Sequence, residues 1–470
     1  MADLHELSAV EQAAAIRRRD LDPVELIEHY LARIEQRSEA IGAFVTVTAD
    51  AALSAAREAS RRVSDGAELP PLHGVPTAIK DLNLTAGIRT TLGSAVFADH
   101  VPDIDDHVVR RLRAAGTISL GKTNTPEFGI PCYTEPEVAP PARSPWDRNR
   151  TAGGSSGGAA AAVAAGLVPF AQASDGGGSI RTPAACCGLI GLKPARGRVS
   201  LGPVVADLHG LGTIGPIART VRDAAAMLDA MTGPFPGDPH WAAAPLGSFA
   251  SFVDRSPPRL RIGRYRACAV PDAVLDADCL TAWESASALL ADLGHEVEDT
   301  APPFDAEQLP VFEKVWSVSA AMAPVRDADE PRLRPLTRWH RQRGRETSAV
   351  AYAGALAQLQ RAARLAVQDS AGYDAVLAPA LATLPPAVGA LRNDADPAAD
   401  FGAQLRFTPY AAMYNVTGQP AITLPVHRTA AGFPVSIMLA GRPADEGTLL
   451  MLAAQLAAAR PEVERTPPGW

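Results

Sequence analysis

The sequence predicts an α/β protein with a central mixed, twisted β-sheet that helices cover on both faces. Two observations support this fold class. Short apolar runs rich in Val, Ile and Leu alternate along the chain with longer helical segments, an order typical of α/β layer architectures. The chain has 470 residues, of which 47% are hydrophobic and 20% charged. This composition is ample for one large core.

The first 65 residues are predicted to be mainly helical. Ser8 with Glu11 has the form of a capping box, and Asp22 followed by Pro23 is typical of a second helix start. Apolar side chains then recur at helical spacing and define one face. The elements predicted in this segment are helices at 24–36 and about 50–63 and a strand at 43–48.

Beyond this segment the pattern alternates strand, loop and helix. Strands are predicted at 75–80, 117–120, 167–173, 261–264, 375–378, 421–426 and 435–440, and helices at 106–115 and 159–165. Pro and Gly concentrate at 233–248 and 256–258, which indicates an excursion or insertion and is weak as a domain boundary. No internal repeat is found.

Composition and charge exclude several function classes. The net charge is −8 with both signs mixed along the chain, so no basic surface for nucleic acid is expected. Arginines such as those in 341–345 are interpreted as solvated helix faces. No uninterrupted apolar stretch is long enough for a membrane span. The start of the chain lacks the pattern of a secretory signal, and five cysteines fit neither a disulfide framework nor a zinc site. A cytoplasmic location is therefore predicted. The protein is also expected to need neither a metal nor a cofactor.

Residues 151–179 hold two glycine clusters, each with serine at its edge. The letters GGSSG at 153–157 satisfy the G-x-S-x-G pattern of the nucleophile elbow. That elbow needs a strand directly before it and a helix directly after it. A helix is predicted after the serines, but the preceding SPWDRNRTA is polar and contains proline, so no strand is expected there. The match is interpreted as accidental.

A nucleotide-binding loop is a second interpretation. Residues 116–123 read GTISLGKT and satisfy the pattern G-x-x-x-x-G-K-[ST]. A phosphate-binding loop lies between a strand and a helix. Here a helix is predicted before the pattern, its middle positions are apolar and strand-like, and Thr125-Pro126 follows. The context therefore opposes nucleotide binding.

Glycine clusters mostly mark tight turns and close packing, and this interpretation stays open for an isolated GGSSGG. The packing interpretation is less favoured when a lysine lies at the end of an apolar strand in a matching context. The run HGVPTAIKD places Lys80 at such a position, where burying an ammonium group is costly. Lys80 is either a surface lysine with its stem on the core or a partly desolvated base with a lowered pKa.

The order and spacing of these segments closely resemble the amidase signature family. GVPTAIKD is followed by GKTNTPEFG, by GGSSGG with its helix and by ASDGGGSIRTPAACCGLIGLKP, and NVTGQPAITLPV and FPVSIMLAG match near the C-terminal end. The resemblance covers essentially the whole chain. It implies one domain over 1–470, with a helical segment at 1–65, a catalytic core at 75–200 and a variable substrate-shaping region at 230–350.

The resemblance implies a Ser–Ser–Lys triad. Ser179 matches the nucleophile, Lys80 matches the base, and Ser155 matches the bridging serine, which the family holds in a cis peptide. A serine hydroxyl is a weak nucleophile until a base removes its proton. A lysine has an ordinary pKa of about 10.4, so a lysine base near neutrality needs a pKa of ~7–8.

The resemblance also implies residues that support the triad. Backbone N–H groups of four residues are implied to form the oxyanion hole: Gly176, Gly177, Gly178 and Ser179. Thr or Ile is common in the family at the first of these positions, so the glycine is a departure from the pattern. Asp175 and Arg181 are implied to pair and brace the loop, with two independently solvated charges as the alternative.

Substrate contacts are expected by analogy at Asn124, Gly129, Ile130, Cys132 and Tyr133 and in the region 310–345. The segment TEPEVAPPARSPWD departs from the family, so the resemblance does not define the loop around 129–145. The predicted function is hydrolysis of a carbon–nitrogen amide bond in a small-molecule substrate, by water, through an acyl-enzyme on Ser179. Esters and carbamates stay open as further substrates.

Two other functions stay open. One is the glutamine-hydrolysing A subunit of a tRNA-dependent amidotransferase, which would need a partner subunit. The other is a non-catalytic or nucleotide-binding module, which would require the triad match to be accidental. A homodimer also stays open, whereas neither nucleic acid nor a membrane is expected as a partner.

Overall fold

The computed structural model describes residues 3–461 and 466–470. Residues 1–2, at the start of the predicted N-terminal segment, and residues 462–465 lie outside it.

Local capping chemistry defines the N-terminal segment. Its elements are α1 (Ala9–Arg18), α2 (Pro23–Ile41), β1 (Phe44–Val47) and α3 (Ala49–Ser64). The Ser8 side chain accepts a hydrogen bond from the Glu11 N–H, and Glu11 reaches back to the Ser8 N–H, so the predicted capping box is confirmed. Asp22 caps α2 by accepting from the Val24 N–H at 2.7 Å.

A small sheet of three strands follows. It contains β2 (Pro76–Lys80) and β3 (Ile118–Thr123), separated in the chain by α4 (His107–Ala114). The strand order is β1-β3-β2, with β3 antiparallel to β1 and parallel to β2. Most of the GTISLGKT pattern therefore forms a strand, and a short 3₁₀ turn at Glu127–Gly129 comes next rather than an α-helix. A phosphate-binding loop is excluded here.

The remaining chain alternates helices and strands. In chain order these are β4 (Arg143–Ser144), β5 (Asp147–Thr151), α5 (Gly157–Ala164), β6 (Phe170–Asp175), α6 (Arg181–Cys187), β7 (Ile190–Lys193), β8 (Thr213–Ala218), α7 (Val221–Met231), α8 (Phe249–Val253), β9 (Arg261–Arg264), α9 (Ala277–Asp292), β10 (Glu296–Asp299), α10 (Leu309–Ala321), α11 (Pro335–Glu346), α12 (Ala349–Asp369), β11 (Ala375–Pro379), α13 (Pro397–Phe407), α14 (Met413–Thr417), β12 (Ala421–Arg428), β13 (Pro434–Gly441) and α15 (Glu446–Ala459).

An eight-stranded mixed sheet forms the centre, in the order β10-β9-β11-β13-β12-β7-β8-β6. The pairs β10/β9 and β9/β11 are parallel, and the other neighbouring strands pair antiparallel. The predicted mixed sheet is confirmed, with antiparallel pairing predominant.

Strand β13 shows that both faces of this sheet are covered. Ile437 and Leu439 belong to one apolar core, which includes residues of α7, α9 and α15. Met438 and Ala440 belong to a second core, which includes residues of α5 and α6. Successive side chains of a strand point to opposite faces, so helices pack on both sides as predicted.

The small sheet lies beside the edge strand β6 of the large one. Thr77 Oγ1 donates to the carbonyl of Phe170 at 3.4 Å, and the Lys80 N–H donates to Gln172 Oε1 at 2.9 Å. The C-terminal end of β2 is thereby held near the C-terminal end of β6. This contact brings Lys80 next to the glycine loop that begins after Asp175.

The expectation that no strand precedes the GGSSG letters is wrong. Residues Asp147–Thr151 form β5, which pairs antiparallel with β4 in a two-stranded ribbon. Its Asp and Arg side chains remain partly exposed, because a two-stranded ribbon does not need two buried faces. The ribbon is separate from the central sheet, so the strand does not create a nucleophile elbow of the α/β-hydrolase type.

None of the helices in the described residues combines the length and apolar character needed to cross a membrane.

Candidate active site

Lys80 ends β2 and is completely buried. Its Nζ lies 2.7 Å from Ser155 Oγ, 3.0 Å from Ser174 Oγ and 3.4 Å from the Ser174 carbonyl oxygen. These partners are neutral oxygens, which compensate little for the loss of water around an ammonium group. Burial therefore lowers the pKa of Lys80 to about 7, with the negative charge of Asp175 acting in the opposite direction.

Ser155 comes directly after a cis Gly154–Ser155 peptide bond, the geometry that the resemblance implies. Its carbonyl accepts a hydrogen bond from Thr125 Oγ1 at 2.9 Å. A Cβ added at Gly129 would lie 3.1 Å from Ser155 Oγ, so this glycine borders the hydroxyl group. Lys80, Ser155 and Gly129 are thus brought together from three separate segments.

Glycines around Ser155 also have a packing role. A Cβ at Gly154 would lie 2.8 Å from the backbone of Tyr133. A Cβ at Gly158 would collide with the backbone of Asn124. The interpretation of GGSSGG as close packing therefore holds for these glycines, while the serine between them lies at the candidate site.

Ser179 follows three glycines and is half-buried. Its carbonyl accepts a hydrogen bond from the Ser156 N–H at 3.3 Å, which links the two serine segments through the backbone. The Gly178 N–H donates to Asp175 Oδ1 at 2.7 Å and is therefore already occupied. In the described part of the chain, no acceptor takes the N–H groups of Gly176, Gly177 or Ser179. The loop accordingly offers three backbone donors rather than the four expected.

Asp175 and Arg181 form a buried, bidentate ion pair. Arg181 Nη2 lies 2.9 Å from Asp175 Oδ1, and Arg181 Nε lies 3.0 Å from Asp175 Oδ2. Asp175 Oδ2 also accepts from the Ile180 N–H at 3.1 Å, so one carboxylate holds both ends of the turn around Ser179. Burial alone would raise the pKa of Asp175, but the guanidinium of Arg181 holds it well below its ordinary value.

The predicted substrate residues separate into two groups. Gly129 adjoins Ser155, as described above. Asn124 is fully buried, and its Nδ2 donates to the carbonyls of Gly42 and Pro140. The loop that contains Ile130 and Cys132 is held by α13, because the Cys132 N–H donates to Gln404 Oε1 and the Tyr133 hydroxyl donates to Asp400 Oδ2. Asn124 and Tyr133 therefore position loops through contacts within the protein.

Three residues near the triad were not among the predicted site residues. Ser174 is a second partner of Lys80 Nζ, and Gln172 fixes the Lys80 backbone. Asn415 donates to Asp175 and accepts from Arg181 at 2.7 Å. Asn415 is the first residue of the NVTGQP segment, which carries part of the family resemblance. Its place in that segment is the sequence feature from which a role at the site could have been predicted. The alternation of apolar and polar residues along β6 predicts a strand, but it does not reveal that Ser174 and Gln172 contact a lysine on another sheet.

Two further lysines are buried near the site. Lys122 lies 2.8 Å from Thr90 Oγ1 and 3.8 Å from Asp81 Oδ1, and burial lowers its pKa to about 8. Lys193 donates to the carbonyl of Pro194 at 2.9 Å, and burial lowers its pKa to about 7. Burial of a lysine is therefore no unique feature of Lys80, and its contact with Ser155 is what distinguishes it.

Comparison with known proteins gives the class of this enzyme. The family model described as Amidase matches residues 25–450. AmiB2 of Mycobacterium tuberculosis, an amidase by name, is 41% identical over 99% of this chain and 98% of its own length. The 6-aminohexanoate-cyclic-dimer hydrolase of Paenarthrobacter ureafaciens is 35% identical over 98% of this chain and 96% of its own length.

The fold agrees with these relatives. A solved structure of 6-aminohexanoate cyclic dimer hydrolase superposes with a TM-score of 0.91 and 33% identity, covering 100% of this chain and 99% of that one. The protein is an amidohydrolase, an enzyme that cleaves amide bonds in small substrates with water. The chain belongs to the amidase signature family.

Proposed function

We propose that this amidohydrolase works through an acyl-enzyme on Ser179, with Lys80 as the base and Ser155 as the relay between them. The observation that supports the proposal most strongly is the 2.7 Å contact between Lys80 Nζ and Ser155 Oγ. A lysine whose pKa is about 7 is largely neutral at slightly alkaline pH. Its nitrogen lone pair then accepts the proton of Ser155, while its N–H bonds are directed to the oxygens of Ser174.

In the acylation step, Ser179 Oγ attacks the substrate carbonyl carbon. The proton of Ser179 passes to Ser155 Oγ as the proton of Ser155 passes to Lys80 Nζ, because a hydroxyl both donates and accepts. The carbonyl oxygen becomes an oxyanion and accepts hydrogen bonds from the free N–H groups of Gly176, Gly177 and Ser179.

Collapse of the tetrahedral intermediate breaks the carbon–nitrogen bond. The leaving nitrogen receives a proton from Ser155, which regains one from Lys80, and the amine departs. A water molecule then attacks the acyl group on Ser179 and gives its proton to the same relay. The second collapse releases the carboxylic acid and restores the Ser179 hydroxyl.

The Asp175–Arg181 pair has a supporting role in this proposal. Asp175 binds the N–H groups of Gly178 and Ile180, on both sides of the nucleophile, and Arg181 and Asn415 hold Asp175 in place. A donor group for an oxyanion is effective when it is already oriented before the reaction. The buried pair supplies this orientation through the loop, without contact to the substrate.

The test is a substrate panel with the purified chain alone, covering 4-nitroanilides, the matching 4-nitrophenyl esters and carbamates, and glutamine. Hydrolysis of anilides by the wild type and a loss on the order of 10⁶-fold in kcat for Ser179→Ala are expected. A fluorophosphonate probe should label the wild type and not Ser179→Ala. Ser200→Ala is the matched control, since this serine is engaged with His107 and Asp238.

Three outcomes would contradict the proposal. Persistent labelling of Ser179→Ala would place the nucleophile elsewhere. Turnover of glutamine only, and only with a partner subunit, would favour the amidotransferase subunit. Stable binding of ATP without any amide hydrolysis would favour a nucleotide-binding module.

A further inference from the structure

Two aromatic side chains on α10 lie over the glycine loop. Phe312 and Trp316 are four residues apart and therefore lie on the same face of the helix. Their rings stack with centroids 5.7 Å apart and planes 19° apart. Both side chains are only half-buried, so part of each ring is open to solvent.

The rings lie beside two glycines whose N–H groups are free. A Cβ added at Gly176 would lie 3.3 Å from Trp316 Cζ3, and one added at Gly177 would lie 3.7 Å from Phe312 Cζ. The first distance is slightly shorter than an ordinary van der Waals contact and the second is an ordinary one, so the two rings occupy the space on the Cβ side of these glycines. The aromatic pair, called here the aromatic wall, thus lies next to two of the three residues proposed to supply oxyanion donors.

Contacts between α10 and α11 fix the aromatic wall. Ser317 Oγ lies 3.0 Å from His340 Nδ1, and Gly344 lets the two helix backbones approach closely. Arg341 is buried and donates to the carbonyls of Ala320 at 2.9 Å and Ala323 at 3.0 Å, at the end of α10. The interpretation of 341–345 as a solvated face is therefore wrong for Arg341, which caps the neighbouring helix.

The same helix pair is anchored to the segment that borders the relay serine. The Arg334 N–H at the start of α11 donates to Glu127 Oε2 at 2.8 Å, and Ser94 Oγ donates to Glu127 Oε1 at 2.7 Å. Glu127 lies two residues before Gly129, which borders Ser155. The distance between the aromatic wall and the candidate triad is consequently set by direct contacts.

We propose that the aromatic wall of Phe312 and Trp316 receives the acyl part of the substrate and that the preferred acyl groups are aromatic. The inference rests on the proposed function, which places the substrate carbonyl oxygen at the N–H groups of Gly176 and Gly177. The acyl substituent of that carbonyl then lies within contact distance of the two rings. Stacked or edge-on aromatic contacts suit the open parts of these rings.

The position of the aromatic wall relative to Ser155 and the glycine loop indicates which part of the substrate contacts it. The leaving nitrogen receives its proton from Ser155, whose hydroxyl is bordered by Gly129. The wall lies at the oxyanion loop instead, and so it faces the acyl part. A neighbouring carboxylate, Glu313, is bound by Arg343 at 2.6 Å, which removes it as a binding group for a cationic acyl chain.

The test compares kcat/KM for two 4-nitroanilides, phenylacetyl and acetyl, in four variants. The wild type should prefer the phenylacetyl substrate by about tenfold or more, and Trp316→Ala and Phe312→Ala should each lower the phenylacetyl-to-acetyl ratio about 3- to 10-fold. Trp316→Phe should restore most of the ratio. Trp339→Ala is the matched control, because this tryptophan lies on α11 and packs against His340 and Phe401.

The outcomes separate this inference from the proposed function. If the wild type favours the acetyl substrate, or Trp316→Ala and Trp339→Ala change the ratio equally, the aromatic wall is not the acyl site although amide hydrolysis stands. If neither anilide reacts and Ser179 is not labelled, both proposals are overturned. Thermal unfolding of each variant shows whether a lost ratio reflects loss of the fold. If Trp316→Ala does not fold, Phe312→Ala decides the matter, since an unchanged ratio in that variant would overturn the inference.

Discussion

Lys80 Nζ lies 2.7 Å from Ser155 Oγ, and the two side chains are 0% and 2% exposed. A buried amine that has neutral oxygens as its nearest partners loses its proton at a lower pH than an exposed lysine does. The pair therefore combines a short path for a proton with an amine that is ready to take one near neutrality.

The first prediction concerns pH. Because the pKa of Lys80 is lowered to about 7, the amine is protonated and unable to act as base at lower pH. The kcat/KM for a 4-nitroanilide should therefore rise with pH and level off above about 7. A flat profile between pH 5 and 9 would contradict the assignment of Lys80 as base.

The second prediction contrasts two buried lysines. Lys80→Met should lower kcat/KM about 10²- to 10⁴-fold and leave the thermal midpoint close to that of the wild type. Lys122→Met should instead lower the midpoint, because Lys122 lies 3.8 Å from the buried carboxylate of Asp81 and donates to Thr90. Equal activity losses in the two well-folded variants would show that buried charge, and not the contact with Ser155, matters for catalysis.

The third prediction concerns the ion pair beneath the loop. Asp175→Asn should lower the free energy of unfolding by about 3–5 kcal/mol, because it leaves the buried Arg181 without its charge partner. Activity should fall as well, because Gly178 and Ile180 donate to different oxygens of Asp175 and an asparagine keeps only one acceptor oxygen for them. Asp20→Asn is the control, because its pair with Arg18 is exposed and contributes about 0–1 kcal/mol.

The pH dependence of stability provides a second measure of the same pair. The folded pKa of Asp175 is held below its unfolded value, so the folded state binds fewer protons at this group. The stabilisation is complete above the ordinary pKa and is lost as the pH falls through the folded value. Asp175→Asn should therefore lose less stability than the wild type on acidification below about pH 4. Identical acid dependence would contradict the ionised pair.

The fourth prediction uses two glycines with nearly the same positive φ. Gly129 has φ of 69° and Gly87 has φ of 72°, so an alanine at either position costs about 1–2 kcal/mol. At Gly129 the new Cβ would lie 2.6 Å from Leu82 Cδ1, a side-chain end that has to shift, and 3.1 Å from Ser155 Oγ, whereas at Gly87 it would meet open space. Gly129→Ala should lower kcat, and Gly87→Ala should keep it. Equal kcat values in the two variants would show that Gly129 does not influence the proposed relay residue, Ser155.

Much of the local structure was predictable from sequence. The Ser8 capping box and the Asp22 cap depend on neighbours within a few residues, and both are present. The strand bounds were less accurate, since the strand predicted at 167–173 lies at Phe170–Asp175. Strand ends are set by partners across the sheet, and local apolar pattern does not contain that information.

Contacts between distant segments were less predictable. Asn415 joins the Asp175–Arg181 pair from 240 positions along the chain, and β5 exists because it pairs with β4. The occupied N–H of Gly178 depends on how Asp175 turns back onto its own loop. Each of these features arises from the closure of a loop or a sheet, which spacing alone does not reveal.

The sequence by itself determined the fold class, the order of the segments that contain Lys80, Ser155 and Ser179, and the expectation that Lys80 is desolvated. Residue types at short range and the resemblance contain that information. Only the tertiary structure decided how these segments meet: Lys80 against Ser155, three free N–H groups in the glycine loop, and Trp316 over Gly176. The physical reason is that burial and contact distance are properties of packed surfaces, which form from residues far apart in the chain.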